Sequence, residues 1–143
     1  MGARKVRLRH AAIAGALAVS AAGALGQAPR LSSLLSGIEP GLWQVRPIDG
    51  SPRPPMAICL GDPGVFLQLE HRQTDCKQML VSNDSSGIVV NYTCPANSFG
   101  RTQIRVETPR LINIDSQGIE GGMPFAFRSE ARRLGPCPGI GTR

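Results

Sequence analysis

The chain has 143 residues, 41% of them hydrophobic but only 4% aromatic, with a formal net charge of +6 and four cysteines. That length suits one domain with a modest core. The positive charge is local: residues 1–26 hold four of the sixteen basic residues and none of the ten acids, so the remainder carries +2. Neither that balance nor six aromatic side chains in the whole chain matches the dense basic stripe and stacking rings of a nucleic-acid binder.

The chain begins as a signal peptide does. "RKVRLRH" precedes an apolar run over residues 11–25, and Ala24 and Gly26 permit cleavage before Gln27. The run of 15 residues falls short of the roughly 20 that a spanning helix needs, so no membrane span is expected in the mature chain. No adjacent arginines point to a twin-arginine route, and no cysteine near the cleavage point invites a lipid anchor. The expected organisation is a signal peptide over 1–26, a linker with one helical turn over 27–37, a four-cysteine β-domain over 38–138 and a tail over 139–143. The expected location is periplasmic or secreted.

"LWQVRPI" and "PPMAICL" read as the first two strands. Between them and the next strand, "GDPGVFLQLEH" offers Asp62 as an N-cap, Pro63 at the first helical position, and Val65, Phe66 and Leu69 on one side. This predicts one short helix over 63–72. The stretch "CKQMLVSNDSSGIVVNYTC" is a hairpin whose polar cluster 83–87 makes the loop, with Gly87 free to take a positive φ. Centred on Ser85, that register sets Cys76 against Cys94, Gln78 against Tyr92, Leu80 against Val90, and Val81 against Val89.

Further along, "RTQIRVET" alternates apolar and polar residues, and pairing about Pro109 sets Val106 against Ile112 and Ile104 against Ile114. "DSQGIEGG" reads as a turn, after which Met123, Phe125 and Phe127 alternate in a last strand toward Cys137. The predicted fold is mostly β: a single antiparallel curved sheet or half-barrel of six to seven strands with one short helix and two disulfides.

Export makes the cysteines legible, because thiols leaving the cytosol meet oxidising conditions. Cys59, Cys76, Cys94 and Cys137 are separated by 16, 17 and 42 residues, which is neither the paired spacing of a structural zinc site nor a C-x-x-C redox pair. No metal or cofactor is expected. Opposed residues of antiparallel strands lie within disulfide range, so the hairpin register selects Cys76 with Cys94 and leaves Cys59 with Cys137.

Conventional catalytic patterns are missing. His71 is the one histidine after residue 26, and neither a G-x-S-x-G elbow nor an H-E-x-x-H helix occurs. Its simplest role is that of a cation near a helix end. The acid pairs Asp49 with Asp62 and Glu70 with Asp75 read as surface residues, and the cluster Arg128, Arg132 and Arg133 as a solvated strand face. Trp43 serves the core, with ligand contact as its second reading.

"PGLWQV" over 40–45, four cysteines in this order and the ending "RRLGPC" resemble a family of small exported bacterial proteins, known as a domain of unknown function with a Gly-Leu-Trp start. The resemblance covers about residues 38–138. It implies a periplasmic or secreted location and a mostly β fold, and supplies no catalytic residues; Gln44 stands where that family often has an acid.

The sequence thus points to a non-enzymatic exported domain, first as a binder of a small apolar or amphipathic ligand within a curved sheet. Second comes an accessory protein that engages an envelope protein through a sheet edge. Third comes a hydrolase, which a pocket joining His71 to a hydroxyl or carboxylate would favour.

Overall fold

Short β-rich segments separated by tight turns favour neighbours in sequence pairing with one another, and a computed structural model describing residues 31–71 and 75–139 has this arrangement. The expected signal peptide lies outside the described residues. The strands are β1 Gly41–Pro47, β2 Met56–Leu60, β3 Lys77–Asp84, β4 Gly87–Cys94, β5 Ser98–Thr108, β6 Leu111–Glu120 and β7 Met123–Gly135. They form one open sheet in the order β2-β1-β7-β6-β5-β4-β3. Five consecutive strands meander from β3 to β7, and the N-terminal pair β1 and β2 is added beside β7.

Period-two alternation sorts the side chains. Thr102 and Ile104 of β5, Ile112, Ile114 and Ser116 of β6, and Phe127, Ser129 and Ala131 of β7 are buried, with Arg101, Arg105 and Arg128 among the exposed neighbours. Trp43 and Val45 extend the same inner face onto β1, and Val90 and Tyr92 extend it onto β4. Two 3-10 helices cover it, Leu31–Leu35 and Pro63–Gln68. Leu35 is buried and Leu31 and Leu34 pack against the core, so the described part of the expected linker belongs to the core. Among the described residues no helix is long and apolar enough to cross a membrane.

The structure departs from the expected hairpins in two places. The loop after β3 is the two-residue turn Ser85-Ser86, closed by Asp84 opposite Gly87, with Gly87 at φ 127°. Val81 is not opposite Val89, because the register shifts between Leu80 and Ser82 and Val89 faces Ser82. The extra residue compensates for the shorter loop: Leu80 still faces Val90 and Gln78 still faces Tyr92. The expected turn "DSQGIEGG" is mostly strand, since β6 runs through Glu120 and only Gly121 and Gly122, at φ 56° and 78°, make the turn. Two successive positive φ values are what a tight hairpin between right-twisted strands requires. The pairs Val106 with Ile112 and Ile104 with Ile114 occur as expected.

Both disulfides are present: Cys76 with Cys94 at a Cα separation of 4.2 Å, and Cys59 with Cys137 at 5.6 Å. Each fixes one edge of the sheet, β3 to β4 in the first case and β2 to the end of β7 in the second. The loops they close span 18 and 78 residues, for which chain entropy gives about 3 and about 4.5 kcal/mol. In urea unfolding, paired Cys→Ala substitution at 59 and 137 should therefore lower stability more than the same change at 76 and 94. Equal losses would show that loop entropy is not the governing term.

Candidate functional site

Because β2 and β3 are both sheet edges and adjacent in sequence, the chain between them must cross the inner face. The crossing starts with Asp62, whose carboxylate accepts the Gly64 amide at 2.8 Å, and with Pro63 as the first helical residue. The expected helix over 63–72 is a 3-10 helix ending at Gln68. In a 3-10 helix residues three apart share a face, so Phe66 and Leu69 point inward while Val65 and Gln68 face out. Phe66 meets the Trp43 indole edge-on, with centroids 5.4 Å apart. Trp43 is fully buried and its Nε1 donates to the Glu39 carbonyl at 2.9 Å. The indole is thus a core residue, placed away from the cleft described below.

The crossing ends at His71, which is 1% exposed. A solvated cation at a helix end is therefore not its role. Nδ1 lies 3.0 Å from the Tyr92 hydroxyl, while Nε2 lies 3.0 Å from the Ile119 carbonyl and 2.5 Å from Glu120 Oε2. Both acceptors at Nε2 require the proton there, so in the neutral ring Nδ1 accepts from the tyrosine hydroxyl. Glu120 Oε2 is buried with no well-aligned hydrogen bond, a shortfall that one Nε2 proton facing two acceptors explains. The Thr102 and Ser116 hydroxyls, 2.8 Å apart, complete the network beneath Tyr92.

Two strand glycines make room for this group. Tyr92, Gly100, Gly118 and Phe125 are successive register partners across β4 to β7. A Cβ on Gly100 would overlap the tyrosine ring and hydroxyl, and one on Gly118 would overlap the Phe99 carbonyl and crowd the Phe125 ring. His71 packs over that row, 5.2 Å from the Tyr92 centroid and 5.6 Å from that of Phe125. The sequence placed His71 as a cation near a helix end; its signal of burial was the pair of glycines inside otherwise regular strands.

Outside the crossing segment lies a cleft of about 890 Å³. β2 contributes Ile58 and Cys59 to it, the crossing Val65, Gln68 and His71, and the β3 side Cys76 and Gln78. Leu31 and Ser32 of the first 3-10 helix border it. The Gln78 amide donates to Gln68 Oε1 at 2.7 Å, tying β3 to the crossing. Leu31, Ala57, Ile58, Val65 and Leu69 give the cleft an apolar lining, while Asp62, Gln68 and Gln78 offer hydrogen bonds. That mixture suits an amphipathic ligand.

The remaining candidate residues have structural partners. Asp49 accepts the Arg128 and Ser51 amides at 2.9 Å each, which hold its carboxyl down to about 2. Glu70 pairs with Arg53 at 2.7 Å, and Asp75 is exposed. Arg132 reaches Glu130, and Arg133 donates to the Pro40 carbonyl at 2.7 Å. Among the described residues no three His, Cys, Asp or Glu side chains gather as a metal site. Comparison of the chain with family models, with curated proteins and with solved structures returned no match.

Burial pushes the Tyr92 hydroxyl above its ordinary value, against the lowering effect of hydrogen bonds from Ser116 and Thr102. The raised pKa means that the folded state holds the proton more tightly. The corresponding stability is complete below the unfolded value near 10 and is lost as pH rises through the folded one. Tyr92 is the single tyrosine of the chain, so absorbance at 295 nm reads it alone. The folded protein should ionise at higher pH than the urea-unfolded protein; coincident curves would contradict the buried network.

Proposed function

We propose that this protein is an exported, non-catalytic binding domain that holds an amphipathic ligand in the cleft between its two sheet edges. The cleft itself carries this reading: it has the volume of a ligand site, a mixed lining, and walls tied in place by two disulfides. The inner face of the sheet is a poorer site, because Trp43, Phe66 and Leu67 are each fully buried and fill it. The disulfides suit an oxidising compartment, which agrees with the signal-like N-terminus and with the resemblance to small exported bacterial proteins.

A hydrolytic reading has one observation in its favour, since His71 borders the cleft and touches both a hydroxyl and a carboxylate. Against it, both ring nitrogens are engaged within the protein, and Tyr92 is 2% exposed as a residue, its burial favouring the neutral hydroxyl. The arrangement serves better as an anchor for the crossing segment than as a nucleophile and base.

Two measurements test the proposal. Mass spectrometry of molecules released from protein isolated from its native envelope fraction should find a stoichiometric amphipathic compound, absent from an Ile58→Arg variant. Protein recovered empty, or an equally loaded variant, would refute the cleft. Ester, peptide, phosphate and glycan substrates should show no turnover. Turnover lost in His71→Gln, with the fold intact by circular dichroism, would establish the hydrolytic reading instead.

A further inference from the structure

Strand direction limits what this sheet can do next. All six neighbouring pairs in the order β2-β1-β7-β6-β5-β4-β3 are antiparallel. Six reversals bring β3 back to the direction of β2, so the edges run the same way. They therefore cannot close on each other as an antiparallel barrel. Yet both edges face one cleft, with Ile58 and Cys59 on one side and Cys76 and Gln78 on the other. A single additional strand, antiparallel to both, would complete an eight-stranded barrel in which every neighbour is antiparallel.

The size of the cleft agrees. A residue in a sheet occupies about 3.3 Å along the strand, about 4.8 Å to the next strand and about 10 Å through the layer, or about 160 Å³. The cleft of about 890 Å³ then holds about five to six residues at that packing, close to the five of β2. Its charge selects among such segments, because among the described residues Asp62 is the one acid lining it and no lysine or arginine does.

We infer that the cleft receives an extended, basic polypeptide segment of a partner protein, which enters as an eighth strand and pairs its backbone with both β2 and β3. This rests on the cleft being the binding site and names the class of its ligand. Edge pairing supplies affinity through main-chain hydrogen bonds, and alternate side chains face the crossing segment, where the exposed Val65 offers apolar contact and Asp62 a charge. Adding the strand also removes both exposed edges at once.

Selection of a phage-displayed random heptapeptide library on the oxidised protein tests this. Enriched sequences should alternate apolar and polar residues and carry lysine or arginine. A synthetic copy should slow hydrogen exchange of amides in both β2 and β3. N-methylation of alternate peptide nitrogens should weaken binding about tenfold for each hydrogen bond lost. Asp62→Asn, which keeps a capping side chain, should cost about threefold to fivefold, the range of an exposed ion pair. No enrichment, or protection of one edge alone, would overturn the inference. A non-peptide amphiphile recovered from the cleft would also overturn it while leaving the binding reading intact; an empty, non-binding cleft would remove both.

Discussion

The structure depends on one crossing: the chain must travel from one sheet edge to the other between β2 and β3, and it does so through the interior. Such a connection needs a side chain that can be buried at its far end without losing its hydrogen bonds. His71 meets that need, with Tyr92 on one nitrogen and the Ile119–Glu120 stretch on the other. Phe66 holds the near end against Trp43. Between these two anchors the segment becomes both the cap of the core and the floor of the cleft.

The glycines at 100 and 118 belong to the same design. Glycine weakens a strand because it adds no packing and costs backbone entropy, yet here the rings of Tyr92 and Phe125 occupy the space that side chains would take. The imidazole then rests on two aromatic rings rather than on a flat pleat. A substitution as small as Gly100→Ala sets a methyl against the Tyr92 ring, so the polar network is sensitive to residues that make no hydrogen bond themselves.

Much of the architecture was legible because antiparallel strands announce themselves locally. The Pro109 hairpin and the Cys76–Cys94 bridge follow from alternation and a turn centre. The hairpin at Ser85 shows the limit: a five-residue loop without a bulge and a two-residue loop with a bulge at Val81 produce the same register toward the cysteines. Alternation could not separate them, since Met79, Leu80 and Val81 form an unbroken apolar run. The turn read over "DSQGIEGG" was too long because Gly118, inside a strand, looks like a turn residue until the ring that covers it is known. The site was least legible. A cleft formed by residues near 31, 58, 68 and 77 is a property of sheet curvature and of the crossing, and no local pattern encodes either.

The N-terminal hairpin of β1 and β2 has its place beside β7, the last of the described strands. A polypeptide emerging amino end first thus presents two strands that have nothing to join until the final one appears. The meander can assemble by itself, but the layer carrying Trp43 waits, and with it the seating of Phe66. Completion is therefore a late, long-range event, and the bond from Cys59 to Cys137 cannot form in its native place any earlier. The native Cys59–Cys137 bond is therefore a mark of completion, since it closes only once β7 is seated beside β1.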